Sequence, residues 1–414
     1  MATKNNYVLC ISPTFAPMAD SEAFCGAKMI LSLMDQQVSL KVFTLHDQSS
    51  IESSCDRSPL WKRLDESVVN NIAVPSIGTI QSAIFAIKYR ILTWGGWIDS
   101  VIKCAIQSHR ERPFDIVYSR SLPMIAHVAG YWISRKLKIP WVANINDPWD
   151  WHLFPEKVSI ERTLPKRIFS NYWLKKTFQE ADLLTFPNKR LHLYHEKFAS
   201  SSRPTEIIPH VGYSSKRMYV DYRRTEFNLV HAGKLGLNEA TGRSAASLLK
   251  GLRLFIIAHP EAREMTKLIL VGPRDDATEE LINSLGIAHN IISTGRLSYE
   301  ESIQYIESAT VCVLIEGKMA EGIYLPSKFV DYIAARKPVL ALSPAVGIIA
   351  DMLPCKWLLR VNLDDEAGVA SSIGIFYEDF KNGTLNVRMP PDSVVRQYDS
   401  SRVAEKFLSA LSAN

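Results

Sequence analysis

Two α/β units, each built on a parallel sheet, are the fold class that the sequence predicts, and three observations predict it. Short β-branched apolar runs such as Val311-Cys312-Val313-Leu314-Ile315 and Leu268-Ile269-Leu270-Val271 recur along the chain. Parallel strands, buried on both faces, read as continuous apolar runs of this kind. Stretches with apolar residues at helical spacing separate them, which is the strand and helix alternation of doubly wound folds. Finally, the chain has 414 residues, too many for one ordinary core, so two domains of about two hundred residues each fit the size.

Composition narrows the class. Hydrophobic residues make up 47% and charged residues 22%, a globular balance, with no repeat or disordered tract. Lys plus Arg is 48 against 43 for Asp plus Glu, giving +5, a surplus that suits an acidic ligand or an anionic surface and equally suits solvated faces. The six cysteines, Cys10, Cys25, Cys55, Cys104, Cys312 and Cys355, form no close pair of the kind a zinc site or redox dithiol needs. The opening residues lack the apolar core of a signal peptide, and no apolar run approaches the roughly 20 residues that span a bilayer. A reducing cytoplasm is the expected compartment.

In chain order, residues 7–12 read as a first strand, 13–20 as a loop with two prolines, 21–35 as a helix and 41–45 as a second strand. No Gly-x-Gly-x-x-Gly follows the first strand, so this half is not expected to bind a dinucleotide. Residues 46–80 are polar and read as irregular. From 80 to 106 the chain turns aromatic and basic, with Phe85, Lys88, Tyr89, Arg90, Trp94, Trp97 and Lys103. Two readings stand: a helix lying in a membrane interface, or a partly buried helix on the sheet with snorkelling lysines. The second is preferred.

Residues 114–118 and 139–144 read as strands around a helix at 124–137. Polar groups crowd at their ends: Ser119, Arg120 and Ser121 at one, then Asn146, Asp147 and His152 at the other. Asp147 precedes a proline and reads equally well as a turn residue. Residues 156–203 interleave basic and aromatic side chains, but the apolar positions keep helical spacing, so a helix on a sheet is expected and not a nucleic-acid surface. Strands at 181–188 and 206–212 close the first domain, 1–212.

The second domain, 213–392, opens with a strand at 227–231 and the loop Ala232-Gly233-Lys234-Leu235-Gly236. Glycine admits backbone close to a phosphate and lysine supplies charge; the next basic residue is Arg243. Strands at 267–271 and 291–295 end at Gly272 and Gly295, with Arg296 beyond, and a helix at 300–309 leads to the run 311–315. The loop 316–326 then carries Glu316 and Glu321, and Ser327 is placed to cap the next helix. Phe329, Val330, Ile333 and Ala334 recur on one face of that helix, which puts Lys328 and Asp331 on other sides. A strand at 338–344 follows, and 393–414 reads as one terminal helix.

The segment Leu325-Pro326-Ser327-Lys328-Phe329-Val330-Asp331-Tyr332-Ile333-Ala334-Ala335-Arg336-Lys337-Pro338-Val339-Leu340-Ala341 resembles the donor-site segment of GT-B glycosyltransferases of the family 4 type, and Asp147-Pro148-Trp149 resembles an aspartate-Pro-Trp passage of the same family. The resemblance implies two Rossmann-like domains facing across a cleft, with the C-terminal helix crossing back to the first. It implies retaining transfer from a nucleotide-sugar donor to an acceptor hydroxyl, in polysaccharide or glycolipid synthesis. The aromatic, basic stretch near Trp94 adds a lipid-linked acceptor and peripheral membrane contact as an expectation.

Asp331 stands where the family has the second glutamate of its acid pair, which binds the donor ribose; the first glutamate falls on Ile323, with Glu321 two residues early and Glu316 earlier still. The resemblance assigns catalysis to Asp147, Lys234 and Glu321. Donor contacts fall to Gly233, Arg243, Gly272, Arg296, Leu325, Ser327, Lys328 and Asp331, with Lys234 and Arg243 as the basic pair at the diphosphate. Acceptor contacts fall to Ser21, Glu22, Arg120 and His152. No Asp-x-Asp occurs, so no metal and no cofactor is expected. Ile323 in place of a glutamate leaves open a catalytically silent GT-B protein that binds a nucleotide sugar or a partner. A nucleotide-sugar epimerase also shares the fold.

Overall fold

The computed structural model describes residues 6–46, 55–149, 164–215, 226–237 and 243–413. The chain divides into two compact units, 1–211 together with 400–414, and 212–399. Each is a parallel sheet wrapped by helices.

In the first unit the strands are β1 (Tyr7–Ile11), β2 (Ser39–His46), β3 (Val69–Ala73), β4 (Ile116–Arg120), β5 (Trp141–Asn144), β6 (Leu183–Phe186) and β7 (Thr205–Ile207). They pair in the order β3-β2-β1-β4-β5-β6-β7, every pairing parallel. Val8 of β1 lies opposite Leu40 on one side and Ile116 on the other. Because β1 has neighbours on both edges and helices on both faces, its residues 8–11 are wholly buried. The helices are α1 (Ser21–Asp35), α2 (Thr79–Tyr89), α3 (Gly95–Glu111), α4 (Ile125–Leu137), α5 (Leu164–Glu180) and α6 (Lys189–Glu196).

Three elements differ from expectation. β3 lies in the stretch expected to be irregular; as an edge strand it alternates buried and exposed residues and carries Asn70 and Asn71, so it lacks the apolar run of a central strand. The expected single helix at 80–106 is two. α3 is the packed one, with Trp97 fully buried and its indole N–H donating to the Ile72 carbonyl at 3.1 Å. α2 instead turns isoleucines outward. The terminal helix begins at Ser400, not 393, because the short turns at 392–398 belong to the second unit. This last helix, residues Ser400–Ala413, packs on α1 and sets Phe407 4.8 Å from the Tyr118 ring, within the first unit.

In the second unit β8 (Phe227–Ala232), β9 (Thr266–Val271), β10 (Ile291–Gly295), β11 (Val311–Ile315), β12 (Val339–Leu342) and β13 (Leu358–Val361) take the order β10-β9-β8-β11-β12-β13. The order reverses between β8 and β11, and it is outside the carboxyl ends of strands at such a reversal that open α/β sheets bind ligands. Helices α7 (Ala246–Ala258), α8 (Asp276–Ser284), α9 (Tyr299–Ser308), α10 (Ser327–Ala334) and α11 (Glu366–Lys381) cover the sheet; α12 is the terminal helix Ser400–Ala413. Phe227, Leu248, Leu252, Phe255, Val313, Leu340, Ile373 and Phe376 join one core, which holds the strand ends rigid.

Candidate functional site

Glycine shapes the carboxyl edge of the second unit at the reversal. Gly233 follows β8 with φ +110°, and a Cβ there would lie 2.6 Å from the Lys328 Nζ. Its N–H donates to the Val271 carbonyl at 2.7 Å. Gly272, at φ +142°, brings its own backbone against that loop, where a Cβ would be 2.6 Å from the Gly233 oxygen. Other residues rarely reach such φ, so these two glycines let the ends of β8 and β9 close together and leave the Gly233 loop bare of side chain.

α10 starts against this loop. Pro326, not Ser327, occupies the N-cap, and its side chain makes no capping hydrogen bond; the Phe329 N–H turns back to the Pro326 carbonyl at 3.1 Å, which leaves the Ser327 and Lys328 N–H groups at the open end of the helix. Ser327 is the first helical residue and Lys328 the second, half-buried, its amine over Gly233. Burial, with the like charge of Arg243, brings the Lys328 amine down to about 7.

A carboxylate and an imidazole share this field. Glu316, one residue past β11, is 4% exposed, and burial pushes it up to about 7 against the opposing pull of Arg243. Its oxygens lie 3.3 and 3.5 Å from where a Cβ on Gly322 would be. His231, on β8 two residues before Gly233, is 1% exposed; its Nδ1 bonds the Val313 carbonyl at 3.0 Å, and its buried Nε2 has no hydrogen-bond partner among the described residues. Burial first, and then Lys328, holds it well below the usual imidazole value. Lys328 and Glu316 therefore both change protonation near neutrality, beside the exposed Arg243.

Asp331 was expected on a side of α10 away from the core, and it is instead 4% exposed. One of its oxygens accepts the Tyr213 N–H at 3.0 Å and the other the Tyr299 hydroxyl at 3.0 Å. The pairing explains the burial: α9 and the chain at Tyr213 supply two donors, so a carboxylate sits where a hydrophobic pattern alone leaves a gap. One turn beyond Lys328, Tyr332 accepts the Ala232 N–H and donates to the Val313 carbonyl. The structure thus brings Gly233, Gly272, Lys328, Ser327 and Arg243 to one edge, with Leu325 and Ile323 in the core beneath. Lys234 and Arg296 are exposed on loops of the same edge and Glu321 is half-exposed. The acid turned inward in this loop is Glu316.

The first unit has a polar edge of its own, at the reversal between β1 and β4. Glu22, in the first turn of α1, is 8% exposed; it accepts the Asn146 amide at 2.6 Å and Arg120 Nη2 at 3.3 Å. Arg120, 3% exposed, also donates to the Tyr118 hydroxyl at 2.8 Å, while its buried Nε has no hydrogen-bond partner among the described residues. Burial lifts Glu22 to about 8 against the pull of Arg120, with Asp147 and Asp20 lifting it further. His210 is brought down to about 3 by burial and by Arg120 and Lys28. Glu22, Arg120, Asn146 and Asp147 are thus gathered; Ser21 is exposed at the helix start, and His152 lies outside the described residues. His231 and His210 went unmarked in the sequence, since a histidine in an apolar run carries no signal of what its ring meets.

Among the described residues no group of three His, Cys, Asp or Glu side chains is placed to hold a metal ion, and no helix is long and apolar enough to cross a membrane.

The sequence matches no protein-family model and no curated protein. Solved structures do match in shape. HepE from Anabaena, crystallised in complex with UDP, superposes with a TM-score of 0.68 at 14% identity, over 99% of this chain and 100% of that one. Sucrose-phosphate synthase from Thermosynechococcus elongatus gives 0.65 at 15%, over 99% and 100%. A candidate UDP-N-acetylglucosamine 2-epimerase from Listeria monocytogenes gives 0.61 at 12%, over 98% and 96%. At these identities what is shared is the fold: two parallel-sheet α/β domains of the GT-B type, with the C-terminal helix counted in the first.

Proposed function

We propose that the chain is a glycosyltransferase, moving a sugar from a nucleotide-sugar donor to an acceptor hydroxyl. The observation that carries this reading is the Lys328 amine lying over the bare backbone of Gly233, beside an uncapped helix start and Arg243, at the reversal of the second sheet. Such an edge fits a pyrophosphate: backbone N–H groups and two cations would stabilise the leaving diphosphate as the glycosidic bond ionises. HepE of Anabaena has structures with UDP and with UDP-glucose, which supports a uridine nucleotide as the first donor to try.

In this reading Gly233, Gly272, Ser327, Lys328 and Arg243 hold the diphosphate, with Lys234 and Arg296 reaching in from the rim and Leu325 supporting the loop. Asp331 positions α10. Glu316 or Glu321 serves the place of the family's first glutamate. On the first unit Glu22, Arg120 and Asp147, with Ser21 and His152 nearby in sequence, meet the acceptor, a sugar or a lipid-linked one. Retention of configuration and a role in polysaccharide or glycolipid synthesis are part of the proposal and follow from the resemblance of the donor segment; independence of metal rests on the missing Asp-x-Asp, and a cytoplasmic site on the scattered cysteines. The cations supply the charge that a metal would.

The test is release of nucleoside diphosphate on mixing the protein with UDP-sugars and GDP-sugars, with and without a membrane extract as acceptor and with and without EDTA. Acceptor-dependent release that EDTA leaves intact supports the proposal. Conversion of the donor sugar without acceptor is the epimerase outcome, and donor binding without turnover is the silent one.

A further inference from the structure

We infer that α2 docks the chain on an anionic phospholipid bilayer, lying flat in the headgroup layer. This helix has two apolar faces and only one is used by the fold. Phe85 and Tyr89 are buried. On the outside Ile80, Ile84 and Ile87, spaced one turn apart, are 80%, 50% and 79% exposed. Singly exposed isoleucines need no explanation, but a stripe of them does. The stripe continues into Val74 and Ile77 before the helix and Trp94 after it, all exposed.

The neighbouring helix extends the patch. The Trp173 indole of α5 donates to the Tyr89 carbonyl at 2.9 Å, and the Arg90 guanidinium lies 4.3 Å from the Tyr172 ring. Ile168, one turn before Tyr172, is exposed as well.

Charge names the partner. Between Glu66 and Asp99 there is no Asp or Glu, while Lys88 and Arg90 border the stripe and Arg167 and Lys175 are exposed on α5. Asp99 is itself nearly buried and matched by Lys88 at 2.8 Å and Lys103 at 2.9 Å, with the Tyr89 hydroxyl at 2.5 Å. The net rim is positive. A protein partner would more often be met by aromatic anchors and charges of both signs, whereas aliphatic side chains inside a one-sided basic rim match the acyl boundary beneath anionic headgroups. With 11 residues α2 is about 16 Å long, too short to span.

Flotation of the full chain with phosphatidylglycerol-containing vesicles, with pure phosphatidylcholine vesicles as comparison, tests the inference. The chain is expected to float with the anionic vesicles, less so at high salt, and weakly with the neutral ones. Ile80→Ser with Ile84→Ser and Ile87→Ser should reduce vesicle binding about tenfold or more, and the single change Ile87→Asp should reduce it too. All three side chains face outward, so thermal unfolding and UDP binding should match the wild type. Wild type left in the soluble fraction overturns the inference. So does a triple variant that floats undiminished, or light scattering that finds a wild-type dimer which the triple variant breaks, because the occupant is then a second copy. Flotation, thermal unfolding and light scattering do not depend on the donor reading.

Discussion

Glu22 is a buried carboxyl of the first unit whose protonation bears on stability. Burial sets its carboxyl at about 8, above the unfolded value, so the folded chain keeps a proton that the unfolded chain releases. Its contribution is complete at acid pH and is lost as pH rises through about 8. Wild type should thus lose stability between about pH 5 and 9, roughly 4 kcal/mol or 8–16 °C in Tm. Glu22→Gln keeps an oxygen for Asn146 and Arg120 and should remove that slope while matching wild type at the acid end. Were Glu22 an ion paired to Arg120, the same change would cost about 3–5 kcal/mol throughout, and calorimetry against pH distinguishes the two. At Gly233 the argument is conformational: with φ +110°, Gly233→Ala should cost about 1–3 kcal/mol by urea unfolding and weaken UDP binding together with it.

At the scale of the element, α10 is held from both sides. Asp331 ties it to α9 and to the chain at Tyr213, and Tyr332 ties it to β8 and β11. Asp331→Ala would remove the acceptor of the part-buried Tyr213 N–H and of the Tyr299 hydroxyl, at about 2–3 kcal/mol, and let Lys328 drift. Chemical denaturation should register the loss of stability and UDP titration a weaker complex. This element also shows what a pattern conceals. Phe329, Val330 and Ile333 were legible at helical spacing, but Asp331 looks exposed in any hydrophobic pattern, because its burial rests on two donors far away in sequence. Pro326 as N-cap was similarly hidden: the serine beside it is the commoner capping residue.

Across the whole molecule, the central strands were legible and the edges were not. Val311–Ile315 is buried on both faces and reads as an unbroken apolar run, whereas β3 has one edge open and only Val69 and Ile72 to show for it. Both strand reversals follow from strand order, which no single segment states; what the segments do state is that the strands beside each reversal, β1, β4, β8 and β11, run into Ser12, Arg120, Gly233 and Glu316. The sequence could place Glu316 and Glu321 in one loop but not tell which turns inward, since a loop has no period. In the single reading at 80–106, packing and exposure were both present, one on each of two helices. If the second unit alone takes the nucleotide, hydrogen exchange with UDP present should slow at 233–235, 316–322 and 327–332 and leave β1 to β7 unchanged; protection confined to the first unit would reverse the assignment of donor and acceptor edges.

Calorimetric titration of UDP, with GDP and ADP beside it, into wild type and Lys328→Met at about pH 6 and about pH 9 is the most direct measurement. The Lys328 amine, at about 7, must hold its proton to meet a diphosphate, and Glu316, also at about 7, loses its proton over the same range; both make binding weaker as pH rises. Wild type should bind about tenfold or more less tightly at the higher pH, and Lys328→Met should bind about 10–100-fold less tightly than wild type at the lower pH, with a shallower pH dependence. No nucleotide bound at either pH, or a methionine variant that binds as tightly as wild type, would contradict a diphosphate seated between Gly233 and Lys328.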